Sequence, residues 1–311
     1  MKKIWSSIKP YIRWVILGGT LFFIAKAFKD HWRDVVGIRI DPQGWTMLAI
    51  ALLVTLLAHI WSGWVWTWIL QAFKQPIGQR LALQVYLKTN VAKYLPGNVW
   101  HFYGRISAVM RAGGSVGAAS ISVLLEPLLM AASALAIALI SGGLGWVNMA
   151  SDSRILGLKF VGLAVVLLGV HPRVLNPIVQ RLSRSKKVTD TEEFTIEHYP
   201  LLPLLGEMGF LGFRGTGFLF TLLAIGSITP SQIPSLLSAF SFAWLLGLVV
   251  PGAPGGLGVF EATAIALLDQ QLPKGLILTG VALFRLVSIL AEISAAGLAI
   301  LSERMEKTSK R

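Results

Sequence analysis

The chain has 311 residues, of which 54% are hydrophobic and only 14% charged, and its mean hydropathy is +0.67. This composition excludes a soluble globular domain and predicts an all-α polytopic membrane protein. Lysine and arginine outnumber acidic residues by 28 to 15, an excess that basic cytoplasmic loops explain better than nucleic-acid binding. Because the chain has no cysteine, disulfides, a thiol nucleophile and a thiolate metal site are excluded.

The first apolar stretch, about 14–28, follows three lysines and predicts an uncleaved membrane anchor. A cleaved signal peptide is the alternative, because residues 25–27 have the small-x-small pattern of a cleavage site. The connection 29–44 has no net charge and is therefore expected outside, which places the amino terminus in the cytoplasm.

Five further apolar stretches predict full membrane spans, and the charge of each connection assigns its side. Segment 171–199 has five basic residues after a span and is predicted to be a cytoplasmic linker, and the basic carboxyl-terminal tail is predicted on the same side. A cluster of tryptophans near the end of the second span is interpreted as an aromatic belt at the interface. These tryptophans are Trp61, Trp64, Trp66 and Trp68. The predicted spans are about 45–73, 116–144, 155–170, 200–226 and 275–301.

Two segments, 81–111 and 235–268, are interrupted by proline and glycine. Proline removes backbone donors and glycine admits left-handed dihedrals, so each helix stops and its freed polar groups must face protein or water. Both segments are therefore predicted to be re-entrant hairpins. The alternatives are an amphipathic surface helix for the first and two short spans for the second. The predicted tips contain Pro96, Gly97, Pro251, Gly252, Pro254, Gly255, Gly256 and Gly258.

Several charged residues lie inside apolar segments. A carboxylate such as Glu126 costs about 2.5–3.5 kcal/mol at the helix centre even on an insertion scale, so it requires a partner or water. We therefore predict a polar cavity near the bilayer midplane, with Lys88 and Lys93 as cations at its cytoplasmic mouth. The alternative is that the charges only cancel one another and fix the packing. The candidate substrate-binding residues are Arg105, Glu126, Glu261, Arg285, Glu292, Lys93 and Asn98.

The two halves of the chain have the same order of elements in opposite orientation. Segments 45–144 and 200–301 each consist of a span, a hairpin and a span, with the entry side exchanged. The first has an arginine followed by a glutamate, and the second has a glutamate followed by an arginine. The pattern predicts two inverted-topology repeats, joined by the linker 171–199, within one integral membrane domain of residues 1–311.

The run Pro251-Gly252-Ala253-Pro254-Gly255-Gly256-Leu257-Gly258-Val259-Phe260-Glu261, with a later Phe284-Arg285, resembles the carboxyl-terminal signature of the lysylphosphatidylglycerol synthase transmembrane (flippase-like) family. The first half resembles that family in Tyr94-Leu95-Pro96-Gly97-Asn98, followed by Arg105 and Glu126. The resemblance covers most of the chain and implies a stand-alone member without the synthase domain, so the synthase activity is not carried over.

The resemblance implies a flippase-like lipid translocase, with a phospholipid or polyprenyl-phosphate-linked head group as cargo. The expected location is the plasma (inner) membrane, with both termini cytoplasmic; no nucleic acid and no cofactor are expected, and a homo-oligomer is left open. One alternative is an intramembrane transferase, although the sequence has no nucleophile elbow or His-rich zinc pattern, so no enzyme activity is expected. The other alternative is a membrane adaptor whose linker binds another protein.

Overall fold

The computed structural model describes residues 40–95, 99–143, 153–177, 196–250, 256, 258–269 and 271–309. The predicted first span, Pro96, Gly97 and Asn98, positions 251–255 and most of the linker lie outside these residues. The described residues are all-helical and form no strand. Their helices are α1 Pro42–Ala72, α2 Gln79–Asn90, α3 Trp100–Arg111, α4 Val116–Gly143, α5 Ser153–Gly169, α6 Leu201–Leu223, α7 Ile233–Val249, α8 Val259–Leu268 and α9 Lys274–Ser309.

Four segments are long and apolar enough to cross a membrane, and with the shorter apolar helices they indicate a helical membrane protein. The third, Pro230–Val249, includes an arm of the second predicted hairpin. Its 20 residues extend about 30 Å as a helix, the thickness of the hydrocarbon core. Helix α6, a predicted span, is not among the four and carries Glu207 and Arg214. The four segments are Pro42–Ala72, Val116–Ser141, Pro230–Val249 and Lys274–Ser309.

Helices α1 and α6 form the central pair of the bundle, and glycines on α6 allow them to approach closely. A Cβ at Gly206 would lie 2.6 Å from a methyl of Val65, and one at Gly217 would overlap the hydroxyl of Thr55. Small residues at such contacts are typical of membrane helix pairs. This packing brings the polar residues of α6 into the interior between α1, α4 and α9.

The interpretation of the tryptophans as an interfacial belt is wrong for Trp66, and Trp61 also contacts a neighbouring helix. Trp66 is fully buried, its ring centroid lies 6.0 Å from that of Tyr86, and its Nε1 donates to Ser122 Oγ at 3.3 Å. Trp61 donates from Nε1 to the carbonyl oxygen of Gly206 at 2.7 Å. Their indole N–H groups are satisfied by neighbouring helices, because α1 is surrounded by α2, α4, α6 and α9.

The described residues next to or within the two helix interruptions, Tyr94, Leu95 and Gly256, are buried in the packed interior. Helices α2 and α3 have 12 residues each, about 18 Å, which is too short for a full crossing. At the second interruption Gly256 has φ +73°, and a Cβ there would lie 3.1 Å from the Cα of Gly247 on α7. Four phenylalanines with ring centroids 5.4–6.3 Å apart join α6, α7, α8 and α9 beside it. They are Phe218, Phe240, Phe260 and Phe284.

Candidate functional site

A cavity of about 150 Å³ lies where helices from both halves of the chain converge. Tyr94, at the edge of the first interruption, and Gly256, in the second, both contribute to its wall. The volume is sufficient for several water molecules or a compact polar group. The charged residues in the wall are Lys93, Arg105, Glu126, Arg214, Arg285 and Glu292.

Arg105 and Glu126 form a buried ion pair in this wall. Arg105 Nη1 donates to Glu126 Oε2 at 2.6 Å, and the Tyr86 hydroxyl donates to Glu126 Oε1 at 2.6 Å. The guanidinium carbon lies 3.7 Å from the ring centroid of Tyr86. Helix α4 continues through Pro127, so the proline next to the carboxylate does not interrupt the helix. The carboxylate thus has two donors, as a buried charge requires.

Glu261 and Arg285 form the corresponding pair in the second half. Arg285 donates to Glu261 Oε1 from Nη2 at 2.8 Å and from Nε at 3.1 Å. The other carboxylate oxygen accepts the backbone N–H of Gly258 at 2.7 Å, so Glu261 also caps the start of α8. Arg285 Nη2 lies 3.4 Å from the carbonyl oxygen of Gly256. The arginine therefore connects α9 to the second interruption, and it lines the cavity whereas Glu261 does not.

Lys93 and Glu292 connect the two halves across the cavity. Lys93 Nζ donates to Glu292 Oε1 at 2.7 Å, and His59 Nε2 lies 3.4 Å from the same oxygen. Lys88 is outside the cavity wall and pairs with Glu303 at 2.6 Å. The two lysines predicted at the cytoplasmic mouth are therefore both engaged by carboxylates of α9. Asn98, the remaining predicted site residue, lies outside the described residues.

Arg214 is a cavity residue that the candidate list from the sequence does not contain. Its Nη1 donates to Ser288 Oγ at 3.0 Å, and its guanidinium carbon lies 4.9 Å from the ring centroid of Phe284. Within the described part of the chain no carboxylate lies within 4.0 Å of it, and its Nε has no hydrogen-bond partner. The sequence did offer a signal for Arg214, because an arginine within a predicted membrane span marks a candidate functional residue. Arg214 and Glu207 are seven residues apart, a spacing that predicts a shared helix face. The same spacing separates the two residues by about 10 Å along the helix axis.

The wall of the cavity carries more positive than negative charge. Four cationic side chains face two carboxylates, and one cation remains in excess when Glu261, the partner of Arg285, is included. Each of the four cations also lies 3.7–5.7 Å from an aromatic ring centroid, which partly replaces lost hydration. Such a cavity is suited to an anionic ligand that offers oxygen acceptors.

The described part of the linker, residues 171–177 and 196–199, contacts the end of α1 outside the membrane-spanning helices. Lys74 Nζ and Glu197 Oε1 lie 2.8 Å apart in an exposed ion pair. Each charge stabilises the other, so the pairing raises the pKa of Lys74 and lowers the pKa of Glu197. Asn176 exchanges two hydrogen bonds with the backbone of Ile196, at 2.8 and 3.1 Å. The two ends of the linker therefore meet at the same end of the bundle as Lys74.

No protein-family model matches the chain, and no curated protein matches it. The function is therefore argued from the cavity and its charged residues.

Proposed function

We propose that the protein is a lipid translocase that moves the anionic head group of a phospholipid or polyprenyl-phosphate-linked lipid through this cavity. The observation that carries the proposal is Arg214, a buried cation that lines the cavity and has no carboxylate within 4.0 Å among the described residues. Charged residues inside membrane proteins mark substrate pathways, and arginine binds phosphate with geometrically matched, charge-assisted hydrogen bonds.

The three buried arginines of the cavity differ in whether a carboxylate neutralises them, and this difference separates a structural role from a binding role. Arg105 and Arg285 each have a carboxylate partner, which satisfies the requirement for neutralisation without a ligand. Arg214 has only the Ser288 hydroxyl and an aromatic ring. An unneutralised buried charge is costly, so an anion or water in the cavity would stabilise it. A phosphate in transit is such an anion.

The proposal includes a topology of six full spans and two re-entrant hairpins in two inverted repeats, with both termini in the cytoplasm of a plasma-membrane protein. Supporting it, the Arg105–Glu126 and Glu261–Arg285 pairs occur in opposite order in the two halves. Tyr94, next to the first interruption, and Gly256, in the second, line one cavity, and α2 and α3 are too short to cross separately. Inverted repeats with interrupted helices at the midplane can expose one site alternately to each leaflet. Membership of the flippase-like family, as the motifs suggest, is part of the same proposal.

The test is a head-group accessibility assay with purified protein in vesicles that contain fluorescent phosphatidylglycerol. An impermeant reductant measures the rate at which labelled head groups reach the outer leaflet. Arg214→Gln is expected to reduce the protein-dependent rate by about 10-fold or more, because a hydrogen bond to a charged group contributes about 1.5–3 kcal/mol. The matched control is Arg304→Gln, an exposed arginine on α9, which should leave the rate unchanged.

Equal rates for the wild type and Arg214→Gln would contradict the assignment of Arg214. If the wild type moves neither phosphatidylglycerol nor a fluorescent polyprenyl phosphate faster than protein-free vesicles, the translocase proposal is wrong. A new covalent lipid product, after addition of a labelled donor, would instead support the transferase alternative.

A further inference from the structure

Glu207 on α6 is a buried carboxyl group that the proposed head-group site does not use. Its side chain is fully buried, and neither carboxyl oxygen has a hydrogen-bond partner among the described residues. It is not part of the cavity wall. The adjoining backbone is held at the junction of α1, α4 and α6, because Trp61 donates to the Gly206 carbonyl at 2.7 Å and Ser133 donates to the Leu204 carbonyl at 3.2 Å.

The neighbouring carboxylates show what Glu207 lacks. Glu126 accepts hydrogen bonds from Arg105 and Tyr86, and Glu292 accepts one from Lys93. An ionised carboxylate without a donor is strongly disfavoured inside a protein, whereas a protonated carboxyl group is neutral. The isolation of Glu207 therefore indicates that it carries a proton in this conformation.

The charged surroundings of Glu207 connect it to the cavity. Helix α6 packs against α4, and Glu126 of α4 forms the ion pair with Arg105 in the cavity wall. The packed helices present a defined set of titratable and charged groups toward the interior, and α7 contributes none. In addition to Arg214 on α6 itself, this set comprises His59 on α1, Tyr86 on α2, Lys93 and Tyr94 in the turn after α2, His101 and Arg105 on α3, Glu126 on α4, and Arg285 and Glu292 on α9.

We propose that Glu207 is a proton-binding site that couples lipid translocation to a proton gradient. The coupling rests on the proposed translocase function. A phosphate in the cavity would place negative charge beside the Arg105–Glu126 pair, and this charge favours the neutral, proton-bearing form of Glu207. Departure of the phosphate removes this charge, and Glu207 then releases its proton in a second conformation in which its carboxyl group reaches water. The second conformation is required because an ionised carboxylate without a donor is disfavoured where Glu207 is now buried. One proton is taken up and one is released for each head group carried.

The proton site is tested by infrared difference spectroscopy on the reconstituted protein. The wild type should show the C=O band of a protonated carboxyl group, with the expected shift in heavy water. Glu207→Gln should lose this band, and Glu207→Met, an apolar residue of similar length, provides a second variant in case the first does not fold. The exposed Glu197→Gln should retain it. A band of full intensity in both Glu207 variants would overturn the assignment.

The coupling is tested with the fluorescent phosphatidylglycerol vesicles under an imposed pH gradient. If one proton moves with each head group, one pH unit should shift the steady-state ratio of labelled lipid between leaflets up to about 10-fold for the wild type. Glu207→Gln should still equilibrate the lipid, but to the same ratio with and without the gradient.

Wild-type movement that ignores the gradient, or an equal shift in Glu207→Gln, would overturn the coupling while the translocase proposal stands. Absence of any protein-dependent movement would overturn both the translocase proposal and the coupling. The infrared band alone would then show whether Glu207 binds a proton.

Discussion

Replacement of Glu126 with alanine is expected to lower the free energy of unfolding by about 3–5 kcal/mol, the cost of leaving a buried charge without its partner. Arg105 is only 2% exposed, its Nε already has no hydrogen-bond partner among the described residues, and its Nη1 would lose the 2.6 Å bond to Glu126. The Tyr86 hydroxyl would lose its bond to Glu126 and keep only the Ser62 hydroxyl, 2.6 Å away, as a partner. Chemical unfolding in mixed detergent micelles, followed by helical circular dichroism, measures the change.

Two controls separate the buried charge from lost packing. The double variant Arg105→Gln with Glu126→Gln removes both charges and should be less destabilised than Glu126→Ala, since two neutral amides leave no uncompensated ion. Glu306→Gln removes an ion pair to Arg80, which is 69% exposed, and should change stability by less than about 1 kcal/mol. If the double variant is the less stable of the two, unpaired charge is not the dominant cost.

Replacement of Gly256 with alanine is expected to be the second large perturbation and to impair both stability and lipid movement. The residue has φ +73°, a conformation that costs an L-residue about 1–2 kcal/mol. The added Cβ would also lie 3.1–3.3 Å from the Cα, O and C atoms of Gly247, and backbone atoms cannot turn away as a side chain can. Overpacking of this kind adds about 1–3 kcal/mol. The same unfolding and vesicle assays measure both effects.

Gly258→Ala is a matched control for this substitution. Gly258 also has a positive φ, +82°, so alanine is strained there as well, but no heavy atom lies within 4 Å of the added Cβ. The difference between the two variants therefore isolates the close contact between α7 and the second interruption. Equal losses would show that this contact does not contribute, and that left-handed backbone strain accounts for the whole effect.

The sequence indicates which charged residues need partners, but it does not indicate which residues those partners are. The sequence predicts that Glu126, Arg105, Glu261 and Arg285 belong to one polar cavity, because charges in apolar segments must be compensated. The structure resolves them into two pairs within the halves, and Lys93 with Glu292 makes the connection between halves. Sequence spacing gives the face of one helix but not the rotation and height of its neighbour, so partners on different helices remained undetermined.

The misinterpreted tryptophans have the same physical explanation. A tryptophan near the end of a span is equally compatible with the interface and with a helix contact, because its ring is apolar and its N–H needs one acceptor. Trp61 makes a helix contact, since its Nε1 donates to the buried carbonyl of Gly206 on α6. Hydropathy alone contains no information about which helix fills that space.

The sequence by itself determined that this is a helical membrane protein, that two of its segments are interrupted by proline and glycine, and that its interior contains charges. These properties follow from residue types and local backbone constraints, which act within one turn or one span. Only the tertiary structure decided that Arg214 faces the cavity without a carboxylate partner in the described chain, and that Glu207 is isolated behind the cavity wall. Both depend on how close packing of α6 against its neighbours sets distances between side chains that are remote in sequence.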